Sequence, residues 1–557
     1  MLLSIQNIRS SKRLDLLVAT LLLLFILGRR DAMAQDKKSK KEEISITSSF
    51  KPSIVKTGKL EFQAELPPKD TTSPRLTYPT LPIQFSTPMS SFIIKPLSMR
   101  SIENSVIHDD VFMKFGLGNL STPFAAMGFN TLKANEQFTG NIDHISSKGT
   151  LPDQQYARSS LNFSYKNTLA ENKIVNLNAG YNRQRYRLYG FDHLRYNFLP
   201  ADLRQIFDNV HFGANFDQKL GEDGSASLNP ELRADFLAAG RKQSEFTMRL
   251  SIPFQYKVNE NMGAGIALDA QTASLKNKIQ TNSTTSLVQV PISLSFNNKN
   301  ISTSGSVVPV LKGNDFTVVP NIQIAYQLGE TKVKLKVAYV NDFNINSLHK
   351  LYVLNPFLVL PDSLTIFHQQ DIYAGVEWQS EKGLHLKFKT GFSQFKNLPL
   401  FINHGSSGKE MLVLNESKLN AINLEGEVNY SFTPEMEFRS TLKIDAFDAQ
   451  ASYNEPYGLL PLELKLGFLW KPFKGLTTRI NADFWRGALS RSPGLPTKRL
   501  KDAADINLGV DYKLNKKWAL WTDLNNIANI QYQRWNQYNV FGFNFIAGLR
   551  YSFIKSK

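Results

Sequence analysis

Residues 505–553 read DINLGVDYKL, NKK, WALWTDLNNIAN, IQYQRWNQYN and VFGFNFIAGLRYSF in succession. In the last segment Phe541, Phe543, Phe545, Ala547, Leu549, Tyr551 and Phe553 share one parity. Gly542, Asn544, Gly548, Arg550 and Ser552 share the other, with Ile546 the one apolar intruder. A period of two marks a strand, because successive side chains point to opposite faces. One face here is aromatic and the other carries Gly, Asn and Arg. That division suits a wall with lipid outside and water inside. The stretch predicts an all-β chain built as a large antiparallel transmembrane β-barrel.

The same pattern recurs upstream. Phe246, Met248, Leu250, Ile252, Phe254 and Tyr256 alternate with Thr247, Arg249, Ser251, Gln255 and Lys257. Val333, Leu335, Val337 and Tyr339 alternate with Lys332, Lys334 and Lys336, and Ile422, Leu424, Val428 and Tyr430 with Asn423, Glu425, Glu427 and Asn429. Counting such segments from about residue 106 to residue 557 gives about 22 strands, within a range of roughly 20 to 24. The connections supply a second test, because barrels alternate short turns on one side with longer loops on the other. Short connections fall at Asn515–Lys517, Pro472–Gly475, Thr433–Glu435, Glu381–Gly383, Gly329–Thr331, Asn298–Asn300, Asn259–Asn261 and Gly221–Gly224. Longer ones fall at Ile530–Asn539, Arg486–Asp502, Gln450–Tyr457, Lys396–Glu416, Asn344–Ser363 and Arg183–Leu203. Residues 311–316 break the pattern: they should form an outer loop, yet the connection is short.

Composition agrees. Apart from one run near the N-terminus, no apolar stretch is long enough to cross a bilayer as a helix. There are no cysteines, which excludes disulfide frameworks and thiolate metal sites. Phe (38) and Tyr (19) are plentiful enough for aromatic girdles. The net charge of +17 fits basic loops facing anionic headgroups, or a cationic lumen that favours anionic solutes. For an exported chain it does not point to nucleic acid.

Residues 1–34 carry the marks of a secretory signal peptide. Arg9, Lys12 and Arg13 precede the apolar run Leu16–Leu27, and Ala32-Met33-Ala34 is a small-x-small cleavage site. Residues 35–105 hold Pro52, Pro67, Pro68, Pro74, Pro79, Pro82, Pro88 and Pro96. That density excludes helix and central strand, and predicts an extended periplasmic segment. The barrel then occupies residues 106–557. An even strand count puts its two ends on one side, so both termini are expected in the periplasm of a Gram-negative cell.

The C-terminal hairpin, WTDLNNIANIQYQRWNQYNVFGFNFIAGLRYSF, resembles the end of the TonB-dependent receptor family, and the closing strand that ends on Phe553 resembles the last strand of outer-membrane barrels. The resemblance covers roughly the last fifty residues, and the rest only as a strand pattern. It implies an outer-membrane barrel of about 22 strands. The family places a globular plug before the barrel, and here a proline-rich stretch stands in its place. The chain therefore looks like a plug-less, TonB-receptor-like barrel. Glu43-Ile44-Ser45-Ile46-Thr47 resembles the family's TonB box, and can be read as a strand for a periplasmic partner or as ordinary linker.

No catalytic motif stands out. The eight histidines make no metal-ligand spacing, and no nucleophile elbow or P-loop occurs. No enzyme activity, cofactor or metal is predicted. Two groups are candidate sites. Lys332, Lys334, Lys336, Lys387, Lys389 and Arg550 are expected to point inward near the periplasmic mouth. They read either as a selectivity ring for anionic solutes or as residues at headgroup level. Arg183, Arg185, Tyr186, Arg187 and Tyr189 open a long outer loop, and read as a binding surface or as an interface girdle. Outer-membrane lipids, protein partners in the periplasm or outer membrane, and an unidentified solute are the expected partners. Two functions follow: a transport conduit gated by loops or by the N-terminal segment, or a scaffold subunit of a larger outer-membrane assembly or secretion complex.

Overall fold

The computed structural model describes residues 111–553, except 134, 171, 222–223, 241–242, 278–281, 381–382 and 449–454. The predicted signal peptide, the proline-rich segment and Glu43–Thr47 lie outside the described residues.

Twenty-two antiparallel strands close into a barrel. The first seven are β1 (Val111–Gly118), β2 (Thr122–Leu132), β3 (Glu136–Ser147), β4 (Tyr156–Ala170), β5 (Lys173–Arg187), β6 (Arg204–Leu220) and β7, in two pieces, Ala226–Leu228 and Glu231–Ala239. Then come β8 (Gln243–Lys257), β9 (Met262–Asn277), β10, in pieces Ser283–Gln289 and Ile292–Asn297, β11 (Ile301–Lys312), β12 (Asp315–Gln327), β13 (Val333–Ile345) and β14 (Ile366–Gln379). The last eight are β15 (Leu384–Lys396), β16 (Leu419–Thr433), β17 (Met436–Phe447), β18 (Leu462–Trp470), β19 (Leu476–Trp485), β20 (Ala503–Lys513), β21 (Trp518–Asn525) and β22 (Asn544–Phe553). The seam joins β1 to β22, from Val111↔Phe553 to Gly118↔Ile546.

The two broken strands have a common feature. Each break falls at a proline with no N–H to donate, Pro230 or Pro291, and the residue before it donates to the carbonyl of a second proline on the neighbouring strand, Pro253 or Pro309. The carbonyls at the breaks stay engaged: Phe216 N–H donates to Pro230 O at 3.0 Å, and Ala267 N–H to Pro291 O at 2.9 Å.

Alternation decides the faces. On β22, Phe545, Leu549 and Phe553 are exposed while Asn544, Ile546 and Ser552 are buried. Phe541 departs from the predicted outward set. It precedes the strand and is fully buried in the core of the long-loop end. At the other end, Trp378, Phe432, Trp470, Tyr512, Trp518 and Phe553 are exposed where their strands meet short turns. Amphipathic rings at one level mark a membrane–water interface.

All long connections emerge at the opposite end: 188–203, 346–365, 397–418, 448–461, 486–502 and 526–543. The short connection 313–314 lies at this end too, as do 119–121 and 240–242. The asymmetry is therefore one-sided. One end has only short turns, and the other has both kinds. Among the described residues no helix is long and apolar enough to cross a membrane. The one helix among the described residues, α1 (Leu348–Leu354), belongs to a loop.

Candidate functional site

A membrane barrel has an apolar exterior and needs no apolar core. This one has a core, and it sits in the mouth at the long-loop end. Inward side chains from strands around the circumference contribute Phe124, Ile145, Tyr156, Phe207, Leu237, Leu275 and Val310. The loops contribute Tyr189, Leu351, Tyr352, Phe357, Met411 and Tyr538 to the same cluster.

Tyr538 is the meeting point. Its ring stacks on Phe357 with centroids 3.6 Å apart and meets Tyr189 edge-on at 4.9 Å. Its hydroxyl donates to the carbonyl of Lys409. Three other loops thus converge on one side chain of the 526–543 loop. Gly190 is required beside it, because a Cβ there would come within 2.5 Å of the Tyr538 ring. Polar bonds tie the remaining edges. The Tyr189 hydroxyl donates to Asn539 O (2.8 Å) and the Tyr196 hydroxyl to Ser406 O (3.1 Å). Asn536 Nδ2 donates to Asn403 Oδ1 (2.8 Å), and Asn403 N–H donates to Arg491 O (2.9 Å). Aromatic pairs of this kind contribute about 0.5–1.5 kcal/mol each beyond area burial. Burial pushes the Tyr189 and Tyr538 hydroxyls well above the ordinary tyrosine range, so both stay protonated donors.

Helix α1 is anchored to the wall. Ser347 Oγ accepts from Lys350 N–H (3.1 Å), and the Glu245 carboxylate on β8 accepts from Leu348 N–H (2.5 Å) and His349 N–H (3.0 Å). An acceptor placed there satisfies N–H groups that have no partner inside the helix. The His349 imidazole is half-buried, and the loss of solvent holds it below the ordinary histidine range; Asp235 opposes the shift, and Arg233 and His211 add to it.

Below the cap the lumen wall changes character. From β13 to β20 it carries ion pairs, two of them between residues directly opposite on neighbouring strands. Lys336 pairs with Glu377, Lys387 with Glu427 (3.3 Å) and Lys389 with Glu425 (3.8 Å). Lys443 pairs with Asp445 (3.1 Å), and Arg479 with Asp511 (2.5 Å). The wall from β10 to β12 is neutral. There Ser293, Ser295, Ser302, Ser304, Ser306, Asn321 and Gln323 take the inward parity, opposite Leu294, Phe296 and Ile322, which are exposed.

The sequence-predicted residues fall as follows. Lys334 and Lys336 lie on β13, Lys387 and Lys389 on β15 and Arg550 on β22, all with inward parity, while Lys332 lies in the preceding turn. Three of these lysines face carboxylates, so the band alternates in sign. The second group divides. Strand β5 runs to Arg187, so Arg183, Arg185, Tyr186 and Arg187 belong to the wall, and only Tyr189 is in the loop. Tyr186 and Tyr189 are buried in the cap, where both meet Phe357 edge-on. The arginines take the opposite face. Sequence reasoning missed Tyr538 and Phe357. The signal available was aromatic density in loops, in QYQRWNQYNVF and LYVLNPFLVL, where a solvent-facing loop would be polar. Among the described residues no group of three or more His, Asp or Glu is placed to hold a metal ion.

No family model and no curated protein sequence matches the chain. Solved structures do match. The FrpB iron transporter from Neisseria meningitidis (F3-3 variant) superposes with a TM-score of 0.62 at 9% identity, over 80% of this chain and 81% of that one. The siderophore receptor PirA from Acinetobacter baumannii gives 0.60 at 10% identity, over 80% of each chain. A mutant of the ferric enterobactin receptor PfeA from Pseudomonas aeruginosa gives 0.58 at 12% identity, over 80% of each. At such identities the likeness shows the fold alone, a closed 22-stranded antiparallel β-barrel.

Proposed function

We propose that the chain is a gated conduit of the outer membrane, without a globular plug, closed at its outer mouth by its own loops. The observation that carries this reading is the aromatic core around Tyr538, which fills the mouth from inside the ring of strands. A wide barrel left open would leak, so something must close it. Here the closing element is held to the inner wall of the mouth by a shared core of side chains, and loosening that core unzips no strand. Both chain ends are placed in the periplasm on this reading, with the aromatic girdle at the inner interface and the loops outside. The solved structures titled as iron and siderophore receptors share the barrel, which supports a role in passage across the membrane. The solute is unidentified. The alternating charges along β13–β22 suit a solute that carries charge, and uncompensated anion preference is not required of them.

The test is single-channel conductance in planar bilayers, comparing the full-length protein with Tyr538→Ala. The expected result is a silent full-length channel and long openings in the variant. A large, steady conductance in the full-length protein would end the closed-cap reading.

A further inference from the structure

The outer face of β3–β7 carries a sharp boundary at the long-loop end. One register row is apolar: Ile142, Leu161, Tyr181, Val210 and Phe236 lie side by side. Ile142, Val210 and Phe236 are exposed on it. Two residues further toward the loops the row reads His144, Ser159, Arg183, Asp208 and Ala238. Beyond that, Arg185 stands between Ala157 and Ile206, and Arg187 stands opposite Arg204. Arg183, Arg185 and Arg187 share the parity of Leu177 and Tyr181, and Arg204 shares that of Asp208 and exposed Val210. Four guanidiniums therefore project outward just above an apolar belt.

Two acids answer two of them. Arg183 Nε lies 3.6 Å from Asp208, which also accepts from the Tyr181 hydroxyl at 2.7 Å. Arg187 pairs with Asp153, which also faces His193 at 3.8 Å. Arg185 and Arg204 are exposed, and neither has a side-chain partner among the described residues. A loop tip with such arginines would simply be solvated. These lie on adjacent strands of a rigid wall, directly above side chains that take the lipid-facing parity.

We propose that this face of β5 and β6 binds the phosphate groups of a phosphorylated glycolipid in the outer leaflet. The guanidinium fork matches phosphate oxygens two at a time, and the apolar row below matches acyl chains. Tyr181 sits at the junction, the place where an amphipathic ring is favoured. The proposal rests on the reading that the long loops face outward.

The experiment uses the full-length protein in detergent and reads bound lipid by native mass spectrometry. The probe is a diphosphorylated lipid A, beside its dephosphorylated form and inorganic phosphate. Wild type should retain the phosphorylated lipid, and Arg185→Gln with Arg204→Gln should lose it by about tenfold or more. Equal retention in the double variant, or equal retention of the dephosphorylated lipid, would overturn the proposal. So would displacement of the lipid by millimolar phosphate, which would mark a free-phosphate site. Orientation is read separately. In a chain with no cysteine, Leu194→Cys in the 188–203 loop should label with an impermeant maleimide on whole cells. Failure to label would overturn the outward-loop reading; labelling without lipid retention would overturn the lipid site alone.

Discussion

The cap and the lumen wall obey different physics. The cap is organised like a soluble protein: aromatic side chains from four loops share one core, and its polar groups pair at the edges. The wall holds its strands by backbone ladders and lines itself with pairs such as Lys389–Glu425, which stay in contact with water. A ladder is lost only by breaking the barrel. A core of side chains can be loosened alone. Movement is cheap in the core of side chains and costly in the ladders, and on the proposed conduit reading the gate lies in the cap.

The most damaging change should be Tyr538→Ala. Removing a fully buried aromatic costs about 3–5 kcal/mol, and here three other loops lose their common contact. Limited proteolysis should cut within 397–418 and 526–543 while the barrel stays resistant. If the barrel unfolds with the cap, the two regions are not separable.

Next come the wall charges. Changing Lys336, Lys387 and Lys389 together to Gln removes three positive charges facing Glu377, Glu425 and Glu427, and leaves Lys334 opposite Glu377 and Lys443 opposite Glu425. In an open-cap background the cation-to-anion permeability ratio should rise several-fold, on the order of 3 to 10. Reversal potentials in a salt gradient check it, and an unchanged ratio would mean the permeating path avoids this wall.

A smaller effect is expected from acid. Loss of solvent depresses the His349 imidazole in the closed cap. The closed state therefore binds fewer protons than the open one between the two pKa values. The contribution of His349 to closure is fully present above its open-state value of about 6.5, and is lost as pH falls through the depressed one. Open probability should rise below about pH 6.5, and His349→Gln should flatten that rise. The smallest effect belongs to the neutral wall. Ser304→Ala with Ser306→Ala should leave ion selectivity unchanged and shift stability by no more than about 0.5 kcal/mol each.

Much of the barrel was legible because lipid enforces strict alternation, as at Phe545, Leu549 and Phe553. The estimate of about 22 strands follows from that regularity. The signal fails where the strand leaves the membrane. At Arg183–Arg187 the outer face turns polar, so a continuing strand reads as the start of a loop. It also fails at Pro230 and Pro291, where strands break yet keep their neighbours. The cap was legible only as unexplained aromatics. Tyr538, Phe357 and Tyr189 share no period, and their partners lie in loops far apart in the chain, so no local pattern announces the core they form.

The most direct measurement is single-channel conductance of Tyr538→Ala also carrying Tyr196→Cys and Ser406→Cys, joined by a short cleavable thiol cross-linker. Those two loops meet where the Tyr196 hydroxyl reaches Ser406 O, and the chain has no other cysteine. The account predicts long openings before cross-linking, closure after it, and openings again once the bridge is cleaved. Openings that persist with the bridge intact would contradict it, because solute and ions would then be passing by a route the cap does not control.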